Sequence, residues 1–169
     1  YENGVVVRKA PLHELNDVFD MIMFHHSLEH VPDQLGTLEK AYSLLRPGGR
    51  CIIRIPTVSS FAWKHYGVYW VQLDAPRHFF LHSVESIKVL CDAAGFELEE
   101  IVYDSKSFQF WGSEQYRKDI PLKDNRSHTV DPGNSIFTAK TIADYEKKSV
   151  ELNASKQGDQ AAFYLRKPL

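Results

Sequence analysis

A short apolar run near the start of the chain leads directly into a group of ionisable side chains. The run covers residues 21–24, and His25, His26, Glu29 and His30 follow it. An imidazole titrates near neutral pH, so a histidine here can accept a proton from a reacting group. Side chains three and four positions apart share a helix face, so His26, Glu29 and His30 could instead converge on a metal ion if this turn is helical.

The sequence allows two interpretations of this group. Two imidazoles favour Zn²⁺, Mn²⁺ or Fe²⁺ over Mg²⁺, and His78 or His82 could complete such a site. The alternative, which we favour, is that Glu29 and His30 support the fold without any metal. For His25 and His26 the corresponding alternatives are proton transfer and a hydrogen bond to loop backbone.

The elements that must position these side chains form a strand, a helix and a second strand. Residues 21–24 predict a buried parallel strand, Asp33 is a predicted helix N-cap, and residues 51–55 predict the next strand. Residues 46–49 (Arg-Pro-Gly-Gly) predict the turn between helix and strand. The predicted apolar helix face consists of Leu35, Leu38, Tyr42 and Leu45. Ligands bind at the carboxyl ends of strands in open α/β sheets, which is where the histidines stand.

The segment of residues 57–82 is too long and too aromatic for a plain connection. Trp63, Tyr66, Tyr69 and Trp70 predict either a pocket or lid that binds an acceptor substrate, or a packed cover over the sheet. We favour the pocket.

Two basic side chains near the end of this segment allow a similar choice. Arg77 and His78 could bind a polar or anionic acceptor such as a sugar. Alternatively they form a local salt bridge with Asp74, which would contribute little if exposed.

The remaining pattern alternates strands and helices and predicts an α/β fold with a largely parallel sheet. Helices are predicted after the N-caps Ser83 and Thr138, ending at Gly95 and Gly158. Strands are predicted at residues 5–8, 96–103 and 161–166, and residues 107–132 are predicted to be mostly loop with one helical turn near residues 114–118.

Composition limits the classes of function. The chain has 169 residues, 43% of them hydrophobic, which is enough for one domain with a real core. The net charge of −2 gives no reason to expect nucleic acid or an anionic membrane as a partner. Cys51 and Cys91 fall inside predicted elements and are expected to be buried, reduced thiols in a cytoplasmic protein.

The order of motifs resembles the C-terminal half of the class I S-adenosylmethionine-dependent methyltransferases. The residues that carry the resemblance are 19–22 (FDMI), 28–33 (LEHVPD), 44–49 (LLRPGG), 76–78 (PRH), 82–83 (HS) and 94–96 (AGF). The resemblance implies a Rossmann-like sheet of mainly parallel strands with a last antiparallel strand, flanked by helices. It also implies one partial methyltransferase domain over residues 1–169, with inserts at about 57–82 and 107–156.

The same resemblance implies roles for individual residues. His25, His26 and Ser27 stand where relatives contact the cofactor S-adenosylmethionine, and His25, His26 or His78 would be the catalytic base. Some O-methyltransferases of this kind carry Glu-x-x-Glu-His here and bind a divalent cation, but His26 replaces the first glutamate in this chain. The expected reaction is methyl transfer to oxygen or nitrogen of a small molecule, for which a sugar or glycan precursor in a bacterial-type pathway is one candidate.

The chain also departs from the family pattern. It contains no Gly-x-Gly sequence, and it does not begin with methionine. We therefore expect a fragment of a longer protein that binds the cofactor poorly by itself and that dimerises through an exposed sheet edge. The alternative is a non-enzymatic binding or assembly module that retains half of the fold.

Overall fold

The computed structural model describes residues 8–169. Its sheet has the order β1-β2-β4-β3, with β2 parallel to β1 and β4 antiparallel to both of its neighbours. The strands are β1 (Phe19–His25), β2 (Leu45–Pro56), β3 (Glu97–Tyr103) and β4 (Gln160–Arg166). This arrangement confirms the predicted α/β class and the antiparallel last strand. The strand predicted at residues 5–8 lies outside the described residues, apart from Arg8, which has no regular structure.

Five α-helices surround the sheet among the described residues. They are α1 (Gln34–Leu44), α2 (Phe61–Tyr66), α3 (Val84–Ala93), α4 (Phe108–Tyr116) and α5 (Ala139–Ala154). Asp33, Ser83 and Thr138 each accept a hydrogen bond from a backbone N–H in the first helical turn, which confirms all three predicted N-caps.

Three boundaries differ from the prediction. The helix α4 is longer than the single turn expected, and α5 ends at Ala154 before it reaches Gly158. Residues 46–49 fall within β2, but its pairing with β1 is irregular there: Phe19 pairs with Leu45 and Met21 with Arg50, and Gly48 takes a positive φ of 76°. Gly49 lies so close to neighbouring backbone that an added Cβ would stand 2.9 Å from the Arg46 carbonyl oxygen.

The main core lies between the sheet and the helices α1 and α3. Cys51, Ile53 and Ile55 of β2 are fully or almost fully buried, and Leu38 and Ile87 cover them from the two helices. This burial explains why β2 contains a nearly continuous run of apolar residues at positions 51–55.

Both cysteines belong to this core. Neither is in a disulfide, and burial raises the pKa of the Cys51 and Cys91 thiols to about 12. They are therefore neutral packing residues, as predicted.

A second apolar cluster joins the two segments predicted as inserts. Its buried members are Ala62, Tyr66, Trp70, Phe110 and Leu152. The first three come from residues 57–82 and the others from α4 and α5, so the two segments support each other.

The strand β1 forms one edge of the sheet within residues 8–169, where it pairs with β2 alone. Val18, Met21 and Met23 are more than half exposed along it. Unpaired, apolar edges associate readily with other strands, so dimerisation through β1 stays a prediction. Among the described residues no helix has the length and apolarity that a membrane crossing requires.

Candidate functional site

The sheet topology brings polar side chains from all four strands to one end of the sheet, the carboxyl edge, where β1, β2 and β3 finish. His25 is the last residue of β1, His26 follows it, and Arg54 lies near the end of β2. Asp104 directly follows β3, which runs parallel to β2 because both are antiparallel to β4. The start of β4 meets the end of β2, since Gln160 pairs with Pro56. This is the carboxyl edge at which open α/β sheets bind ligands.

Arg54 holds this edge together. Its Nη1 lies 3.1 Å from His25 Nε2 and 2.6 Å from His26 Nε2, and its Nε donates to Asp104 Oδ2 at 2.6 Å. A guanidinium donates but cannot accept, so both Nε2 atoms must be unprotonated acceptors. The contacts therefore favour the tautomer of each ring that carries its proton on Nδ1.

Backbone contacts fix His26 in an unusual conformation. Its φ is +48°, its N–H donates to the Arg54 carbonyl at 2.9 Å, and its Nδ1 lies 3.3 Å from Glu29 Oε1. Only Leu28–His30 forms a helical turn, of the 3₁₀ type, so the helical condition for convergence of His26 with Glu29 and His30 is not met. His26 contacts both Arg54 and Glu29.

A different histidine joins Glu29 and His30. One potential ligand atom of each of Glu29, His30 and His78 lies within 4.8 Å of the others. Glu29 is 1% exposed, and among the described residues its carboxylate oxygens make no hydrogen bond of good geometry, although His26 Nδ1 lies 3.3 Å from Oε1. A buried carboxylate with so few polar contacts is costly, so this is a position where a cation would be stabilised.

The two imidazoles of this group are oriented by backbone. The Nδ1 of His30 lies 2.9 Å from the Arg77 carbonyl and the Nδ1 of His78 lies 2.9 Å from the Gln72 carbonyl. Because carbonyls only accept, both Nδ1 atoms donate, and Nε2 is the atom of each ring that could bind a metal, although His78 Nε2 also lies 3.7 Å from Asp74 Oδ2. Burial lowers the pKa of His78, which favours the neutral form that a metal requires.

His82, the other histidine considered for this group, hydrogen-bonds residues of two helices and lies outside the group. Its Nε2 lies 2.6 Å from Gln34 Oε1, and its Nδ1 lies 3.0 Å from the Ser86 hydroxyl. Gln34 in turn donates to the Leu28 carbonyl, so His82 ties the start of α1 to the start of α3.

The side chains predicted to bind an acceptor occupy varied environments. Trp70 is fully buried, Tyr66 is buried with its hydroxyl donating to Glu114, and Trp63 is half-buried against Trp70. Tyr69 is exposed. Tyr66 and Trp70 therefore pack inside the second apolar cluster.

The other residues predicted for the site lie on or near the surface. Arg77 is exposed and paired with Asp74 at 2.6 Å, which matches the local salt-bridge alternative. Ser27 is half-buried at the end of β1. Roles for these residues in binding stay predictions.

Arg54, Asp104 and Asp159 were not singled out from the sequence. A charged residue inside the apolar run of residues 51–55 was the available signal for Arg54. Asp159 gave no signal, because its burial follows from the packing of Trp70, whose Nε1 donates to Asp159 Oδ2 at 3.0 Å.

Asp159 predicts a distinctive pH dependence of stability. Burial raises the pKa of its carboxyl from 3.8 to about 6, so the folded protein binds this proton more tightly than the unfolded chain. This contribution is fully present below pH 3.8 and is lost as pH rises through 6, a change of roughly 3 kcal/mol. In urea unfolding, Asp159→Asn should remove this downward trend between pH 4 and pH 6. Identical pH profiles for both proteins would contradict it.

The comparisons with known proteins agree with this fold. A family model described as a methyltransferase domain matches residues 3–101, more than half of the chain. A search of the curated proteins finds no match.

Solved structures show the same fold at low sequence identity. An S-adenosylmethionine-dependent methyltransferase from Thermotoga maritima, described as a possible histamine N-methyltransferase, has a TM-score of 0.58 and 18% identity over 97% of this chain. Similar proteins from Mesorhizobium loti and Archaeoglobus fulgidus have TM-scores of 0.54 and 0.51, with 14% and 17% identity over 98% and 92% of this chain. The chain spans 64%, 71% and 63% of the length of these three proteins, in the order given.

Proposed function

The chain belongs to the class I S-adenosylmethionine-dependent methyltransferase family, and on that premise we propose a reaction and a site for the intact protein. The reaction is methyl transfer from S-adenosylmethionine to oxygen or nitrogen of a small-molecule acceptor. The site is the carboxyl edge of β1 and β2. The observation that carries the proposal is the Arg54 side chain, which holds the imidazoles of His25 and His26 together at that edge.

The proposed cofactor contacts are His25, His26 and Ser27. When bound, S-adenosylmethionine supplies an electrophilic methyl group on a sulfonium. The polar side chains after β1 could contact one side of such a molecule, but residues 8–169 contain no Gly-x-Gly sequence. A backbone cradle for the cofactor needs glycine for close approach, so the described residues provide only part of its site.

We propose His25 as the general base. Its Nε2 lies 3.1 Å from Arg54 Nη1, compared with 2.6 Å for His26, and its side chain is the more exposed of the two. The Nε2 of His25 can therefore exchange Arg54 for the hydroxyl or amine of an acceptor and take up its proton. His26 keeps its short contact and positions Arg54.

A calorimetric comparison tests the proposal. S-adenosylmethionine should bind the intact protein, and it should bind the isolated 169-residue chain at least tenfold more weakly because part of the cradle is missing. Transfer of labelled methyl from the cofactor to acceptors would then be assayed with the intact protein. If the intact protein neither binds the cofactor nor transfers methyl, the result would favour the alternative that it is a non-enzymatic binding or assembly module.

A metal-dependent form of this reaction is a second candidate, and the buried carboxylate of Glu29, which makes no hydrogen bond of good geometry among the described residues, favours it. The proposed ligands are Glu29, His30 and His78. Two imidazoles and one carboxylate match catalytic zinc sites, which keep a further position open for water or substrate. A zinc ion here would neutralise the buried charge and could lower the pKa of a bound acceptor hydroxyl.

Zinc binding predicts a thermal shift. A hundredfold excess of Zn²⁺ over its dissociation constant stabilises the folded state by about 2.7 kcal/mol, so the Tm of the chelator-treated protein should rise on adding zinc. His78→Ala should abolish the rise. His65→Ala, which changes an exposed histidine outside the group, should leave it intact. An unchanged Tm in the unmodified protein, or the same rise in His78→Ala, would contradict the site.

A further inference from the structure

A small cavity of about 180 Å³ opens beside Arg54, on the side of the edge formed by β2 and β4. Its lining consists of Arg54, Gln72, Lys106, Phe108, Gln109, Asp159 and Gln160. Arg54 is thus shared between this cavity and the two imidazoles. A molecule in the cavity would contact the side chain that also contacts the two imidazoles.

One part of the cavity wall offers acceptors of hydrogen bonds. Gln109 is 1% exposed, and its Nε2 donates to the Ser149 hydroxyl and the Lys106 carbonyl. Its Oε1 has no partner among the described residues. Asp159 adds a carboxyl group of which Oδ2 accepts from Trp70. A buried acceptor without a donor is costly, so a ligand that donates a hydrogen bond here would be favoured.

Another part of the wall is cationic. Lys106 is exposed and has no ion pair with any acidic side chain within residues 8–169. Arg54 adds a second cation, although its Nε is committed to Asp104. Charge-assisted hydrogen bonds from such groups are the strong ones in anion recognition.

We propose that this cavity binds the acceptor, and that the acceptor is a small anion that also carries a hydroxyl or amino group. Lys106 and Arg54 bind its carboxylate or phosphate, while Asp159 and Gln109 accept hydrogen bonds from the hydroxyl or amine. The assignment to the acceptor rests on the proposed methyltransferase function. The binding of such an anion does not.

Ligand-observed NMR titration of the intact protein tests the inference with four probes. L-lactate, L-serine and glycerol 3-phosphate carry an anionic group together with a hydroxyl, and glycerol is the neutral control. At least one of the three should bind at least tenfold more tightly than glycerol. The probe that binds distinguishes a carboxylate from a phosphate preference.

Two lysine variants locate the binding. Lys106→Met should weaken the anion by roughly tenfold or more, the usual effect of losing a charged hydrogen-bond donor. Lys118→Met, which changes an exposed lysine outside the cavity lining, should bind within twofold of the unmodified protein. Equal affinity for all four probes, or unchanged anion binding in Lys106→Met, would overturn the inference.

Calorimetry with S-adenosylhomocysteine on the same samples separates the two proposals. Cofactor-product binding without anion binding overturns the cavity assignment alone. Anion binding lost in Lys106→Met, without any cofactor-product binding, supports the cavity and overturns the methyltransferase proposal.

Discussion

Replacing Arg54 with methionine should lower the rate constant of methyl transfer by about two orders of magnitude, since small misplacement of reacting groups has effects of that size. The guanidinium joins three partners, namely the two imidazoles and Asp104. Methionine preserves the length and apolar stem of the side chain but supplies no donor. His25 and His26 would then be free to change tautomer and orientation, while the fold of β2 remains.

The measurement is single-turnover transfer of labelled methyl, together with ¹⁵N NMR of the histidine side chains. Unmodified protein should show Nδ1-protonated tautomers for His25 and His26, and Arg54→Met should show mixtures. Arg46→Met is the matched control, because Arg46 lies on the same strand but is exposed and paired with Asp20. A rate within threefold of the unmodified enzyme for Arg54→Met, with unchanged spectra, would refute the positioning role.

The second large effect concerns stability. Trp70→Ala should lower the free energy of unfolding by about 4 kcal/mol, because it removes a fully buried indole and creates a cavity. It also leaves Asp159 without the Nε1–H donor. Each kcal/mol corresponds to roughly 2–4 °C in Tm for a chain of this size, so a decrease of about 10 °C is expected.

Two further variants show whether Trp70 acts in packing or in binding. Tyr69→Ala, at the exposed neighbouring position, should change the unfolding free energy by no more than about 0.5 kcal/mol. Trp70→Phe retains most of the packing and should lose only about 1–2 kcal/mol with the hydrogen bond. If Trp70 contacted the acceptor directly, Trp70→Phe would raise KM with little change in stability, and the packing account would be wrong.

The starts of the helices that flank the sheet could be predicted from sequence because their signals are local. Asp33, Ser83 and Thr138 are caps whose side chains bond within the first helical turn, so a short window of sequence identifies them. The position of the histidines at the carboxyl edge likewise follows from the order of strand and helix. The length of α4 could not be predicted in this way, because its buried face is polar as well as apolar, with Gln109, Ser113 and Gln115 all buried.

The composition of the site depends on contacts between distant parts of the chain. Arg54 and Asp104 are 50 positions apart, and Glu29 and His78 are 49 apart, so no spacing rule connects them. The metal prediction from sequence grouped His26 with Glu29 and His30 on the condition of a helical turn. The positive φ of His26 removes that condition: His26 contacts both Arg54 and Glu29, and the group of potential ligand atoms around Glu29 contains His78 in its place.

The aromatic segment illustrates the same limit. The sequence indicates that residues 57–82 are more than a plain connection, but aromatic composition does not distinguish a ligand pocket from a packed cover. Tyr66 and Trp70 are buried because α4 and α5 supply Phe110 and Leu152 against them. Phe110 lies in residues 107–132, for which the pattern predicts mostly loop, and the polar lining of the cavity comes partly from the same region.

The most direct test of the central claim is a crystal structure of the intact protein with S-adenosylhomocysteine. The account predicts that the thioether sulfur faces the imidazoles of His25 and His26 at the carboxyl end of β1, with the Arg54 cavity open beside it. A cofactor product bound away from this edge, with its sulfur pointing to neither histidine, would contradict the account.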